Sequence, residues 1–343
     1  MTSRRHLPLP CWRLPHWAKR GQAITRWLLL LSLGVLLAAC SSEQEKWQQQ
    51  LGQQFTLSAT KLARLKQHIA QGQIANTRIL TQYADIIAQD KPELTELSRA
   101  LAEDASAEGP IIRSLETRLS DAKNDMSLAP SQGATTVNLL YQELSAIAAA
   151  SQPDTYGMML SDPINVLADM SDGKLARVAA MSAEASARIN SAEDFGPGSQ
   201  LVGNPQYGNW QSDSSGNSFW HWYGQYALLS TLFRNPIGYG SWGRHRDYSY
   251  YNDYGRSRYT SPQQRQSQRA TESRSRAKFK SMGKRFTSPY ASTKHTSSSV
   301  ARKASKFQPR SLARSSFGKP ASNTTSSYRS STYRSSRSSF GGK

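Results

Sequence analysis

The chain has 343 residues, with 43 Lys+Arg against 24 Asp+Glu and 37% hydrophobic residues. Residues 1–39 carry six basic and no acidic side chains, residues 40–200 carry 13 against 20, and residues 201–343 carry 24 against 4. The formal +19 therefore describes the C-terminal part rather than the whole protein, and two cysteines, Cys11 and Cys40, are too few for a disulfide framework.

The chain opens on a basic lead of Arg4, Arg5, Arg13, Lys19, Arg20 and Arg26, followed by the apolar run from Trp27 to Ala39. That run has the length of a signal core and falls short of the ~20 residues a membrane-spanning helix needs. Leu37-Ala38-Ala39-Cys40 resembles the lipobox of bacterial lipoproteins, with polar Ser41-Ser42-Glu43 directly behind it. The resemblance implies cleavage between Ala39 and Cys40, a diacylglycerol on the Cys40 thiol and an acylated amine. With Cys11 in the removed segment, no thiol is then left over. Ser41 behind the cysteine points to the outer membrane and a periplasm-facing protein. Ser3-Arg4-Arg5-His6-Leu7 also resembles a twin-arginine motif, but the apolar core starts far downstream, which favours ordinary secretory export. The alternative is a cytosolic protein with an N-terminal anchor and an accidental Cys.

Residues 40–192 read as an all-α domain, a bundle of short helices. Ser42 with Glu45 makes a capping box at its start. Leu51, Phe55, Leu62, Leu65 and Ile69 recur at helical spacing until Gly72. Leu80, Tyr83 and Ile87 form a second stripe, stopped by Asp90-Lys91-Pro92. Leu94, Leu97 and Leu101 form a third, and Ile112, Leu115 and Leu119 follow Gly109-Pro110. Further helices are expected over 137–150, 164–170 and 175–189. No heptad run lasts long enough for a coiled coil, so these stripes are read as the bundle's inward faces. His68 has no metal partner at helical spacing and is read as a surface residue.

Gly196-Pro197-Gly198 marks a boundary, and residues 193–254 form a Gly/Trp/Tyr-rich segment with Trp210, Trp220, Trp222 and Trp242. Residues 219–233 are expected to be helical, with Phe219, Tyr223, Tyr226, Leu229 and Phe233 near one face. These aromatics either pack on the protein or lie in a membrane interface, and packing is preferred because no Lys-rich face accompanies them. Gly238, Gly240 and Gly243 match the letters of the dinucleotide fingerprint, but no strand–turn–helix surrounds them, so a glycine-rich turn is expected. His221 and His245 lack ligand or triad spacing, and no catalytic motif is present. No cofactor or metal is expected, and the chain reads as a non-enzyme.

Residues 255–343 read as a disordered Ser/Arg/Lys-rich tail, with Glu272 its one acid. Arg274, Arg276, Lys278, Lys280, Lys284, Arg285, Arg329, Arg334 and Arg337 are its candidate polyanion-binding residues. The tail resembles Arg/Ser- and Arg/Gly-rich RNA-binding tails, although an export signal argues against nucleic acid as the partner in vivo. Arg337-Ser-Ser-Phe340-Gly341 is similar to an element near the end of several enterobacterial lipoproteins. The expected partners are the membrane, through acyl chains on Cys40, and an anionic cell-wall or glycolipid polymer. The alternative is an envelope protein complex bound through the helical domain, with the tail a passive linker.

Overall fold

The computed structural model describes residues 16–178, 192–193, 195–233 and 236–290, with side chains from residue 43 onward. The fold is mostly helical. The chain divides into two compact units, Met1–Thr60 with Arg118–Ser145, and Lys61–Thr117 with Ala146–Lys343. No helix among the described residues is long and apolar enough to cross a membrane.

The first unit is built from parts of α1 (His16–Ala70), α4 (Pro110–Asp125) and α5 (Ala134–Ala150). Their stripes meet as expected: Leu51, Ala122, Ala129, Val137, Leu140 and Leu144 are buried together, with Trp47, Phe55, Leu119 and Met126 against them. Two polar contacts are buried within this unit. Ser58 Oγ donates to the Leu144 carbonyl at 2.8 Å, and Arg118 pairs with Glu143 at 2.6 Å. The capping box at Ser42 is not formed, because α1 runs through that position from His16. The Leu-rich stretch before it favours helix, so nothing ends the element there.

In the second unit α2 (Ala75–Asp90) packs on α3 (Thr95–Ala102) and α7 (Ser161–Met170), burying Leu80, Ile87, Leu97, Leu101 and Leu167. The breaks at Gly72, Asp90-Lys91-Pro92 and Gly109-Pro110 fall between elements as read. A further short helix, α6 (Pro153–Met159), was not anticipated; Pro153 occupies its first turn. The expected helix over 175–189 falls mostly outside the described residues, and 176–178 are irregular.

α7 is buried on nearly every side, so its polar residues must find partners inside the protein. Asn165 brackets Val178, accepting its N–H at 2.7 Å and donating to its carbonyl at 3.0 Å. Asp162 accepts from the Ser249 hydroxyl and from the Tyr250 and Tyr251 N–H groups, at 2.8–2.9 Å. Those last residues lead into a π-turn, Tyr251–Gly255, so a carboxylate on α7 fixes the start of a turn nearly ninety positions on.

Residues 219–233 do not form one helix. They contain β2 (Ser218–Trp222), paired antiparallel with β1 (Gly208–Ser212) so that Trp210 lies opposite Trp220. A 3-10 turn, Gly224–Tyr226, and a single helical turn, Leu229–Leu232, come next. The period-two alternation of buried Ser218, Trp220 and Trp222 with outer Phe219 and His221 overrode the looser helical spacing. Asp213 closes the hairpin loop by accepting the Asn217 N–H at 2.7 Å, and Gly216 takes φ +75°.

The disordered-tail expectation also fails for residues 255–290. Pro262–Ser281 is a 20-residue helix with a complete capping box: Ser261 accepts from Gln264 N–H, and the Gln264 side chain accepts from Ser261 N–H. Its inner face buries Gln268, Thr271 and Ser275. Residues 291–343, with the remainder of the expected tail, lie outside the described residues.

Candidate functional site

The aromatics of residues 207–254 pack on each other. Trp210 contacts Trp220, Tyr239 and Trp242 with ring centroids 4.8–5.1 Å apart, and Trp222 stacks on Phe233 at 5.6 Å. Aromatics from the supposed tail complete this layer. Phe286 stacks on Tyr239 and meets Phe279 edge-on, and Tyr290 sits edge-on to Trp242. These edge and stacked geometries suit the ring quadrupole. They are why composition alone misjudged the segment: three aromatics anchor an otherwise polar stretch.

Glycine has a packing role here. A Cβ on Gly240 would fall 2.7 Å from the Phe279 ring, and one on Gly243 would meet Pro289 at 3.2 Å. The Gly238–Gly243 letters therefore allow close approach of the returning chain, but on a short helix, Tyr239–His245, and not on the glycine-rich turn expected from the sequence.

A buried ion pair fastens the same region. The Arg246 guanidinium lies 2.5 Å and 3.1 Å from the two Asp253 oxygens and donates to the Pro289 carbonyl at 3.0 Å. Burial works against the guanidinium's charge, but Asp253 more than offsets it and holds the pKa above the usual arginine value. Arg256 lies over the Tyr290 ring, 3.7 Å from its centroid.

Two carboxyls stand out electrostatically. Burial pushes Asp162 up to about 7 against the three hydrogen bonds it accepts. Burial likewise raises Asp104 to about 7, although the Tyr207 hydroxyl donates to it at 2.6 Å. No signal in the sequence marked either acid. Their hydrogen-bonding partners lie 52 to 103 residues away. Both are enclosed by structural partners, which gives them a folding role.

The histidines remain apart. His221 is exposed on β2. His245 Nε2 lies 3.6 Å from Glu193 Oε1 on a half-open surface. His68 is half-buried and bonds Gln73. Among the described residues no group of three His, Cys, Asp or Glu side chains could hold a metal.

The candidate basic residues divide into three groups. Arg274, Arg276 and Lys280 are exposed on the Pro262–Ser281 helix, with exposed Lys284 and Arg285 just beyond it. Arg276 pairs with Glu272 at 2.9 Å and lies over the Phe286 ring. Lys278 is turned toward the hairpin, where Nζ donates to the Ser215 carbonyl at 3.0 Å and to Asn217 Oδ1; it is a fastener of the loop. Arg329, Arg334 and Arg337 lie outside the described residues, and Ala39 and Cys40 fall in the stretch of α1 whose side chains are not described. Residues 262–290 thus hold eight Lys+Arg against Glu272 alone, six of them on the Pro262–Ser281 helix and two just beyond it. No protein-family model matches this chain, nor does any curated protein or solved structure.

Proposed function

We propose that the protein is a lipid-anchored component of the bacterial envelope that binds an anionic polymer through a folded basic face. The lipobox-like Leu37–Cys40 supports the anchor, by acyl chains on Cys40 after cleavage behind Ala39. One observation carries the binding reading: Arg274, Lys280, Lys284 and Arg285 are exposed on or beside one helix in a stretch with a single acid. Single exposed charges contribute little in water, so the face acts in aggregate and its binding weakens with salt. The reading is of a binding protein without catalysis, and an outer-membrane, periplasm-facing location accompanies it.

The test is binding of the full chain to immobilised heparin and to purified anionic envelope glycolipid across a salt series. Reversing Arg274, Lys280, Lys284 and Arg285 to Glu removes the salt-sensitive component. Unchanged retention would end the proposal. Radiolabelled palmitate should label the wild type and not Cys40→Ser; equal labelling of both would remove the anchor.

A second reading has its own support. Leu57 and Tyr141 are 46% and 44% exposed, and with Val137 and the amides of Gln50, Gln53, Gln54 and Asn138 they line a shallow groove of about 430 Å³ in the first unit. This favours an accessory subunit of an envelope complex. A photo-crosslinker at Tyr141 that captures one defined partner in cells, with the charge-reversed helix behaving normally, would favour it.

A further inference from the structure

A cleft of about 250 Å³ opens between the β-hairpin and the Pro262–Ser281 helix. In so basic a protein its lining is unusual, since it holds no Lys, Arg, His, Asp or Glu. One wall is aromatic, made by Trp210, Trp220 and Tyr223. The other is lined by amides and hydroxyls, including Gln263 and Ser267, with Asn209 at the hairpin. Tyr223, Asn209, Gln263 and Ser267 are exposed at the rim.

The indole N–H groups of Trp210 and Trp220 are both enclosed and have no hydrogen-bond partner among the described residues. Trp220 itself is only 7% exposed. Leaving such a donor unpaired is costly, and indole can only donate.

We propose that this cleft binds a neutral saccharide unit. A pyranose ring combines an apolar face of C–H groups, which suits the negative face of an aromatic ring, with a rim of hydroxyls that both donate and accept. The amides and hydroxyls opposite the tryptophans match that rim, and the lack of ionised groups selects against charged ligands. The volume lies below the ~300–1,000 Å³ of pockets for larger ligands, which suits one or two sugar rings of a longer glycan. The inference does not depend on the lipid anchor or on the basic face.

The test is titration of the full chain with chitotriose, maltotriose and cellotriose, followed by tryptophan fluorescence and calorimetry. At least one sugar saturates the signal with a Kd of about 1 mM or tighter, and its affinity is unchanged up to about 1 M salt. Salt independence separates this site from the basic face. Tyr223→Ala, and separately Asn209→Ala with Gln263→Ala, weaken binding about tenfold. All three positions are exposed, and an unchanged unfolding midpoint would show that the fold persists. The inference is overturned if none of the sugars binds, if affinity is retained in both variants, or if a proline-rich peptide occupies the cleft instead.

Discussion

Replacing Arg246 by Met tests how the C-terminal segment is held. The Arg246 side chain is 2% exposed and that of Asp253 1%. Its guanidinium serves both Asp253 oxygens, and the Pro289 and Asp247 carbonyls at 3.0 Å and 3.1 Å. Methionine fills most of the stem's volume, so the loss is chiefly electrostatic. Asp253 would keep only the Ser249 N–H, 3.2 Å away, as a buried charge without a counter-ion. Removing one member of such a pair costs about 3–5 kcal/mol. At roughly 2–4 °C per kcal/mol for a domain of this size, the midpoint should fall by on the order of 10 °C. Thermal unfolding followed by tryptophan emission measures it, because Trp210, Trp220, Trp222 and Trp242 all report on this region. Arg246→Met with Asp253→Leu removes both charges and should recover about half the loss or more. A single-variant loss below about 1 kcal/mol, or a double variant equal to the sum of the singles, would refute the reasoning.

Asp104 and Asp162 predict a pH dependence. Their folded pKa values of about 7 exceed the ordinary 3.8, so the folded state holds more protons across that interval. Their contribution to stability is full below about pH 4, falls as pH rises, and is gone above about pH 7. Each shift corresponds to on the order of 4 kcal/mol. Denaturant midpoints measured from about pH 4.5 to pH 7.5 should decline, with a shallower decline in Asp162→Asn; equal slopes would contradict this. Gly208→Ala would press a methyl onto Trp220, 2.8 Å from its ring carbons, and onto the His221 carbonyl; we expect a loss of about 1–3 kcal/mol by thermal unfolding. Ser261→Ala should cost about 1 kcal/mol through the lost cap and lower hydrogen-exchange protection at Gln263–Arg265 first.

Between residues 51 and 170 the helices, the short α6 excepted, were largely legible because their signals are local. Gly72, Asp90-Lys91-Pro92 and Gly109-Pro110 interrupt the chain wherever they stand, and the stripes between them are spaced for one face. The hairpin was missed although Asp213–Gly216–Asn217 between two aromatic runs is a turn signal; the wider spacing of Phe219, Tyr223 and Tyr226 imitated a helix. The Pro262–Ser281 helix also announced itself, through Ser261-Pro262 and Gln264, but its composition resembles that of a solvated tail. What orders it is distant. Phe286 and Tyr290 pack on Tyr239 and Trp242, with Phe279 edge-on to Phe286, and no property of residues 255–290 alone reveals that. The division of the candidate basic residues into exposed cations and the loop-fastening Lys278 depends on the hairpin that Lys278 faces.

The contacts that residues 249–290 make within the second unit set an order on its assembly. Synthesis delivers the N-terminus first, so α6 and α7 emerge long before the groups that complete them. Asp162 waits for Ser249 to Tyr251, the Ala150 carbonyl for the Tyr259 hydroxyl 109 positions later, and Arg246 for Pro289. Such long-range closure slows folding and prolongs the exposure of apolar faces. A nascent chain stalled before residue 290 should therefore remain a client of holding chaperones, and truncations should fail abruptly near that point instead of fading gradually.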